Sequence, residues 1–238
     1  RSYQGSNSMK IGGFQKTTLL DYPEHISAII WTVGCNFSCP FCYNTSLVKK
    51  ESELFSVDEI LDFLDKRKSF LEALTISGGE PFLQPDLKKF CRKVKNLGYK
   101  IKIDTNGSFP NKLKELIDEK LVDYVSMDIK APLEKYDKLS GVNVNKEKIK
   151  ESIKILRKAD INYEFKTTVV PDFLDKNDII QVSKMIKDSK KFFIQQFKND
   201  IPLIESKLHD LKPYSEEYLQ NILKEIEAYF IECKVRGT

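Results

Sequence analysis

Cys35-Asn36-Phe37-Ser38-Cys39-Pro40-Phe41-Cys42 gathers three of the chain's five cysteines into eight residues. Disulfides among them would close very small loops, so binding of a metal or cluster is favoured. Thiolates in this spacing can hold three corners of a four-iron cluster and leave the fourth iron without a protein ligand. Such an iron is Lewis-acidic, and a ligand with an adjacent amine and carboxylate can chelate it. Cys91 and Cys233 lie elsewhere and read as small hydrophobes, one in a helix over residues 87–97, the other in a C-terminal helix.

The surroundings of this loop give the fold. Immediately before it, Ser27-Ala28-Ile29-Ile30-Trp31-Thr32-Val33 is β-branched and nearly continuously apolar, as a parallel strand buried on both faces should be. Gly34 ends that strand, after an extended lead-in over residues 10–23. Ser56 and Glu59 form a capping box, and Val57, Ile60, Leu61 and Leu64 recur at helical spacing behind it. Strands follow at residues 73–76, 99–103, 124–127, 163–170 and 192–197. Helices alternate with them at 87–97, 111–120, 146–158, 176–187 and 216–231.

Six strand-then-helix units in strict alternation imply a parallel sheet covered by helices through right-handed crossovers. Six are too few for a closed eight-stranded barrel. The expected fold is therefore α/β, a partial (β/α)6, TIM-like open barrel in a single domain over residues 9–238, ending in a C-terminal helix. Residues 1–8 (RSYQGSNS) read as an expression remnant, because Met9 opens a sensible sequence. In such a fold the loops at the C-terminal strand ends build the active site. The polar signatures fall there: the cysteines, then Gly78-Gly79-Glu80-Pro81, Asp104-Thr105-Asn106-Gly107, Asp128-Ile129-Lys130, and Thr168 with Val170 before Pro171. Gly78 and Gly79 allow close backbone approach, and Glu80 can accept hydrogen bonds from an ammonium group.

Cys35-x3-Cys39-x2-Cys42, the aromatic Phe41 before the third cysteine, and Gly78-Gly79-Glu80-Pro81 one strand later together resemble the radical S-adenosylmethionine (SAM) superfamily. The resemblance runs from Ile11 to about Phe197. It implies a [4Fe-4S] cluster on Cys35, Cys39 and Cys42. That cluster gives one electron to SAM, splitting it into methionine and a 5'-deoxyadenosyl radical that abstracts hydrogen. Gly78, Gly79 and Glu80 would face the methionyl end. Gly12-Gly13-Phe14-Gln15-Lys16, Leu20-Asp21-Tyr22-Pro23, Cys42-Tyr43-Asn44 and the Asp104 and Asp128 segments narrow the resemblance to activating enzymes of glycyl-radical enzymes. Among these it is most similar to anaerobic ribonucleoside-triphosphate reductase activating proteins of the longer type.

That narrower resemblance implies that Asp104 and Lys130 contact SAM. It also implies that Asp104, Thr105 and Asp128 can hold a monovalent cation near the SAM carboxylate, and that Thr168, Val170 and Gln195 line the adenine. A glycyl-radical enzyme is then the protein substrate, with a flavodoxin or ferredoxin as electron donor. No cysteine-rich insertion follows the triad, so no auxiliary clusters are expected, and no histidine stands near Gln195-Gln196.

Two other readings remain open: a radical SAM enzyme for a small molecule, similar to 7-carboxy-7-deazaguanine synthase, and a non-catalytic zinc or cluster-binding module. Structural zinc wants four ligands, and a fourth is missing nearby, with His25 ten residues before Cys35. With 41% hydrophobic and 31% charged residues among 238, the chain can bury a core. No apolar run approaches the roughly 18 residues of a membrane helix, and no secretion signal follows Met9, so the expected address is cytoplasmic. The net charge of +4 is spread over helical faces, and nothing in it demands a nucleic-acid partner.

Overall fold

The computed structural model describes residues 8–237. Of the remnant assigned to residues 1–8, all but Ser8 lie outside the described residues. Eight strands join one sheet in chain order. Contacts within the chain group it into two units. The first holds the residues up to Asn36, Ser46–Thr105 and Asn111–Val125; the second holds Phe37–Thr45, Asn106–Pro110 and everything from Ser126.

In the first unit β1 (Ile11–Thr18) pairs antiparallel with β2 (Ser27–Thr32). After the short α1 (Thr45–Lys49) comes α2 (Val57–Lys66), opened by Ser56 and Glu59 in the capping box expected of them. Strand β3 (Ala73–Gly78) lies parallel to β2, and after α3 (Leu87–Asn96), β4 (Lys100–Thr105) lies parallel to β3. Ala28, Ile30, Leu74, Ile76, Ile101 and Ile103 are all fully buried, which is why these strands read as continuous apolar runs. Helix α4 (Pro110–Asp118) leads to β5 (Tyr124–Asp128), whose last three residues belong to the second unit.

The second unit continues with α5 (Tyr136–Ser140), α6 (Lys146–Lys158), β6 (Asn162–Val169), α7 (Lys176–Met185), β7 (Lys191–Gln196), α8 (Glu216–Ile226) and β8 (Glu232–Arg236). Strands β6, β7 and β8 run parallel. Side chains alternate along them: Phe165, Phe192 and Ile194 are fully buried, while Glu164, Phe193 and Arg236 share the opposite face. Asn145, Asp175 and Ser215 cap α6, α7 and α8 through their side chains.

The six expected strand–helix units are β2 to β7 with their helices. Two expectations need correction. The lead-in is a full strand, β1, which pairs with β2 from Ile11 to Thr18 through two register shifts and buries those two end residues. The chain's last stretch is not helical to Ile231, and Cys233 sits on β8 rather than in a helix. Ile231, Cys233 and Val235 alternate with Glu232, Lys234 and Arg236, a period of two that suits a strand. Among the described residues no helix is long and apolar enough to cross a membrane.

Candidate active site

In the first unit, the loop after β2 and the turn after β3 meet backbone to backbone. Gly34 N–H donates to Leu47 O at 2.9 Å, Glu80 N–H donates to Gly34 O at 2.9 Å, and Gly79 N–H donates to Thr32 O at 2.9 Å. A Cβ on Gly79 would lie 2.0 Å from Gly34 O. At Gly78, whose φ is +117°, it would lie 2.3 Å from Thr32 N. The sequence suggests glycines that admit a ligand; the structure shows glycines that let this turn close on the loop carrying Cys35.

Glu80 is fully buried. Its Oε1 accepts from Phe82 N–H at 3.1 Å and from the Thr105 hydroxyl at 2.9 Å, so it caps the 3-10 turn Pro81–Leu83 and braces the end of β4. Asp104 pairs with Lys102 at 2.7 Å. Sequence reasoning missed Gln84. Its Nε2 donates to Val33 O at 2.8 Å while its Oε1 accepts from Lys10 N–H at 2.8 Å, tying the start of β1 to the cysteine loop. A glutamine in a turn carries no signal of such a partner.

The second unit brings together Cys39, Cys42, Asp128 and Lys130. Cys42 N–H donates to Cys39 O at 3.0 Å, closing a turn between the two thiols. The backbone of this turn is held from three sides. Ser38 N–H donates to Ser140 O at 2.8 Å, Glu205 N–H to Pro40 O at 2.9 Å, and Ile204 N–H to Cys42 O at 3.1 Å. Lys130 Nζ stands 3.4 Å from Asp128 Oδ2 and 5.8 Å from the centre of the Phe41 ring. Burial opposes the Lys130 charge, but Asp128, Cys39, Tyr136 and Cys42 outweigh it and hold the ammonium protonated. Burial pushes the Cys39 thiol up to about 11, against the pull of Lys130. It raises Cys42 as well, opposed by a backbone hydrogen bond at Asn44 and by Lys130. A bound metal must therefore displace protons from these sulfurs.

Further along the same unit, Thr168 of β6 lies in register with Gln195 of β7, and Gln195 with Arg236 of β8. A second feature missed in the sequence is the ion pair on that face. Arg236 reaches over Phe193, 3.2 Å from the ring centre, to grip the buried Glu164 with two hydrogen bonds of 2.9 and 3.1 Å. Glu164 also accepts from Ser126 at 2.9 Å. The two histidines serve locally: His25 faces Glu72 at 3.1 Å, and His209 faces Asn199 O at 2.6 Å. A cavity of about 680 Å³, lined by Leu133, Lys150, Ile153, Lys154, Arg157 and Met185 among others, contains none of the sequence-predicted residues.

All five cysteines carry reduced thiols. Among the described residues no three His, Cys, Asp or Glu side chains are arranged to hold one metal ion. A four-iron cluster makes a different demand, since each thiolate binds its own iron and the sulfurs stand apart. Three soft, reduced donors on one short loop meet that demand.

Fold and loop together define a partial β/α barrel whose first parallel strand delivers a cysteine triad to its C-terminal end. Residues 29–186 match the model of the Radical SAM superfamily. The chain is 35% identical over 228 residues, 90% of its own length and 94% of the other's, to a Methanocaldococcus jannaschii protein provisionally named a glycyl-radical enzyme activating enzyme. It belongs to the radical SAM superfamily, and it is a radical SAM enzyme; membership implies a [4Fe-4S] cluster and SAM. Among solved structures, Streptococcus suis SuiB bound to S-adenosylmethionine superposes with a TM-score of 0.62 at 16% identity, over 85% of this chain and 48% of SuiB. A domain of pyruvate-formate lyase-activating enzyme from Bacteroides vulgatus superposes with a TM-score of 0.55 at 17% identity, over 70% of this chain and 99% of that domain. At these identities the two show the fold alone.

Proposed function

We propose that this enzyme generates a glycyl radical on a partner protein. What carries the reading is the 35% identity to an activating enzyme over 94% of that relative's length. When bound, the cluster supplies one electron to SAM, whose S–C5' bond breaks to give methionine and a 5'-deoxyadenosyl radical. The radical takes a hydrogen atom from a glycine Cα of the partner, leaving 5'-deoxyadenosine and the glycyl radical. A flavodoxin or ferredoxin is the electron donor in this scheme. The partner is a ribonucleotide reductase of the anaerobic type or a pyruvate formate-lyase-like enzyme. The work is placed in the cytoplasm, where thiols stay reduced.

In this reading Cys35, Cys39 and Cys42 ligate the cluster. Gly78, Gly79 and Glu80 face the methionyl end of SAM, with Asp104 and Lys130 contacting it. Asp104, Thr105 and Asp128 hold a monovalent cation, and Thr168 lies at the adenine. The Lys130 ammonium beside Cys39 and Cys42 favours their thiolate forms electrostatically and offsets charge that sulfur ligation adds.

The test is anaerobic turnover with SAM and a candidate glycyl-radical protein from the same genome. Electron paramagnetic resonance should show a glycyl signal, with 5'-deoxyadenosine formed. Wild-type protein should bind about four irons, and alanine at Cys35, Cys39 or Cys42 should abolish SAM cleavage with the circular dichroism of the fold retained. Cleavage of SAM without any glycyl signal on such partners would move the enzyme to small-molecule substrates.

A further inference from the structure

The connection between β7 and α8, residues 197–215, closes on itself and then on the cysteine loop, all within the second unit. Two side-chain amides bridge its base. Gln196 Nε2 donates to Tyr214 O at 2.6 Å, and Asn199 Nδ2 donates to both His209 O and Leu211 O, at 3.1 and 3.0 Å. His209 Nδ1 lies 2.6 Å from Asn199 O, so the far side of the loop also holds Asn199. Between these bridges Leu203 and Leu208 are buried, and the Glu205 carboxylate accepts from Lys207 N–H at 3.4 Å, opening the 3-10 turn Ser206–Asp210. A surface loop whose ends meet and whose own side chains fill it is an Ω-loop, a form that often carries function.

The middle of this loop reaches two carbonyls among the cysteines. Ile204 N–H donates to Cys42 O at 3.1 Å, and Glu205 N–H donates to Pro40 O at 2.9 Å. Cys42 N–H in turn donates to Cys39 O at 3.0 Å. The Cys42 backbone is therefore tied on both sides of its Cα, by Cys39 before it and by the Ω-loop after it. With both peptide planes fixed, the direction in which the Cys42 side chain leaves the backbone is fixed too. Partners one shell out that orient a metal ligand typically matter about 10–100-fold in metal affinity. A ligand loop ordered in advance also loses less freedom when the metal arrives.

We propose that Asn199 is a positioning residue for the third cluster ligand. By donating to His209 O and Leu211 O it keeps the Ω-loop closed, and the closed loop holds the carbonyls of Pro40 and Cys42 through Glu205 and Ile204. Asn199 touches neither cluster nor substrate. The two carbonyls it serves only accept, so the position needs a donor, and aspartate, of the same shape, cannot supply one. The inference rests on reading Cys39 and Cys42 as cluster ligands and is independent of the molecule that the radical attacks.

Hydrogen exchange of metal-free protein reads the loop without any cluster. In wild type the amides of Ile204 and Glu205 should be protected. In Asn199→Ala and in Asn199→Asp their exchange should quicken about tenfold, the worth of one ordinary hydrogen bond, while Phe192 to Ile194 in β7 keep their protection. After anaerobic reconstitution both variants should hold iron about tenfold less tightly than wild type in competition with a chelator. An aspartate variant that behaves as wild type means that Asn199 only fills space, and overturns the proposal. Unprotected Ile204 and Glu205 amides in wild type overturn it as well, a result that needs no variant to fold. So does unchanged iron retention in a variant whose two amides have become exposed. Wild-type protein that binds no iron while its amides stay protected refutes the ligand reading itself, and this inference with it.

Discussion

Gly79 shows how much a single missing methyl group can decide. Its Cβ position falls 2.0 Å from Gly34 O, a backbone atom with nowhere to go. Gly79→Ala should therefore destabilise the protein by at least about 1–3 kcal/mol, the usual range for overpacking, and should reduce iron loading because the Cys35 loop must shift. Urea denaturation and iron analysis read both. Cys91 acts through its proton. Burial pushes its thiol up to about 12, above the usual value of about 8.5 in an unfolded chain. The folded state therefore keeps a proton that the unfolded state releases. Stability from this group is complete below about pH 8.5 and is lost as pH rises toward 12, by up to about 1.4 kcal/mol per pH unit. Urea midpoints of metal-free protein from pH 8 upward should fall less steeply in Cys91→Ala than in wild type.

At the scale of elements, the informative pieces are the short ones. The 3-10 turn Pro81–Leu83 is capped by Glu80 and followed by Gln84, so one turn braces β4 through Thr105 and the cysteine loop through Val33. Gln84→Ala leaves Lys10 N–H and Val33 O without their partner. A loss of about 1–3 kcal/mol follows, because the buried Val33 O loses its donor while the part-buried Lys10 N–H can turn to water. A wild-type melting temperature in this variant would show that water replaces the side chain freely. The long elements announce themselves by period and caps: α6 begins and ends where its Asn145 cap and apolar spacing predict. Helix α5, five residues long, has too few positions to show a period, yet it holds Ser38 in place.

Across the whole molecule, alternation of strand and helix selects the barrel, while the last strand is decided by its partners. Strand β8 stays in the sheet through β7 and through the Arg236–Glu164 pair. Glu164 is 2% exposed and Arg236 43%, so the pair is half-solvated and worth less than a fully buried one. Arg236→Ala should still cost about 1–3 kcal/mol, because a buried carboxylate loses its counter-ion. Arg236→Ala combined with Glu164→Gln should recover part of that loss in a denaturation experiment. Full additivity of the two changes would mean the ion pair contributes nothing.

The sequence by itself determined the β/α order, the strand-end position of every polar motif, and the chemistry of three thiols on one loop. Those follow from neighbours along the chain: periodicity, capping residues and donor spacing act over a few positions. It did not reveal that Gly78 and Gly79 serve a backbone-to-backbone contact, that Gln84 ties two loops together, or that Ser140 of α5 holds the backbone just before Cys39. Nor did it show Cys233 to be on a strand. Each of these depends on what a side chain meets across tens of residues of intervening chain, and only the closed packing of the folded molecule supplies that partner.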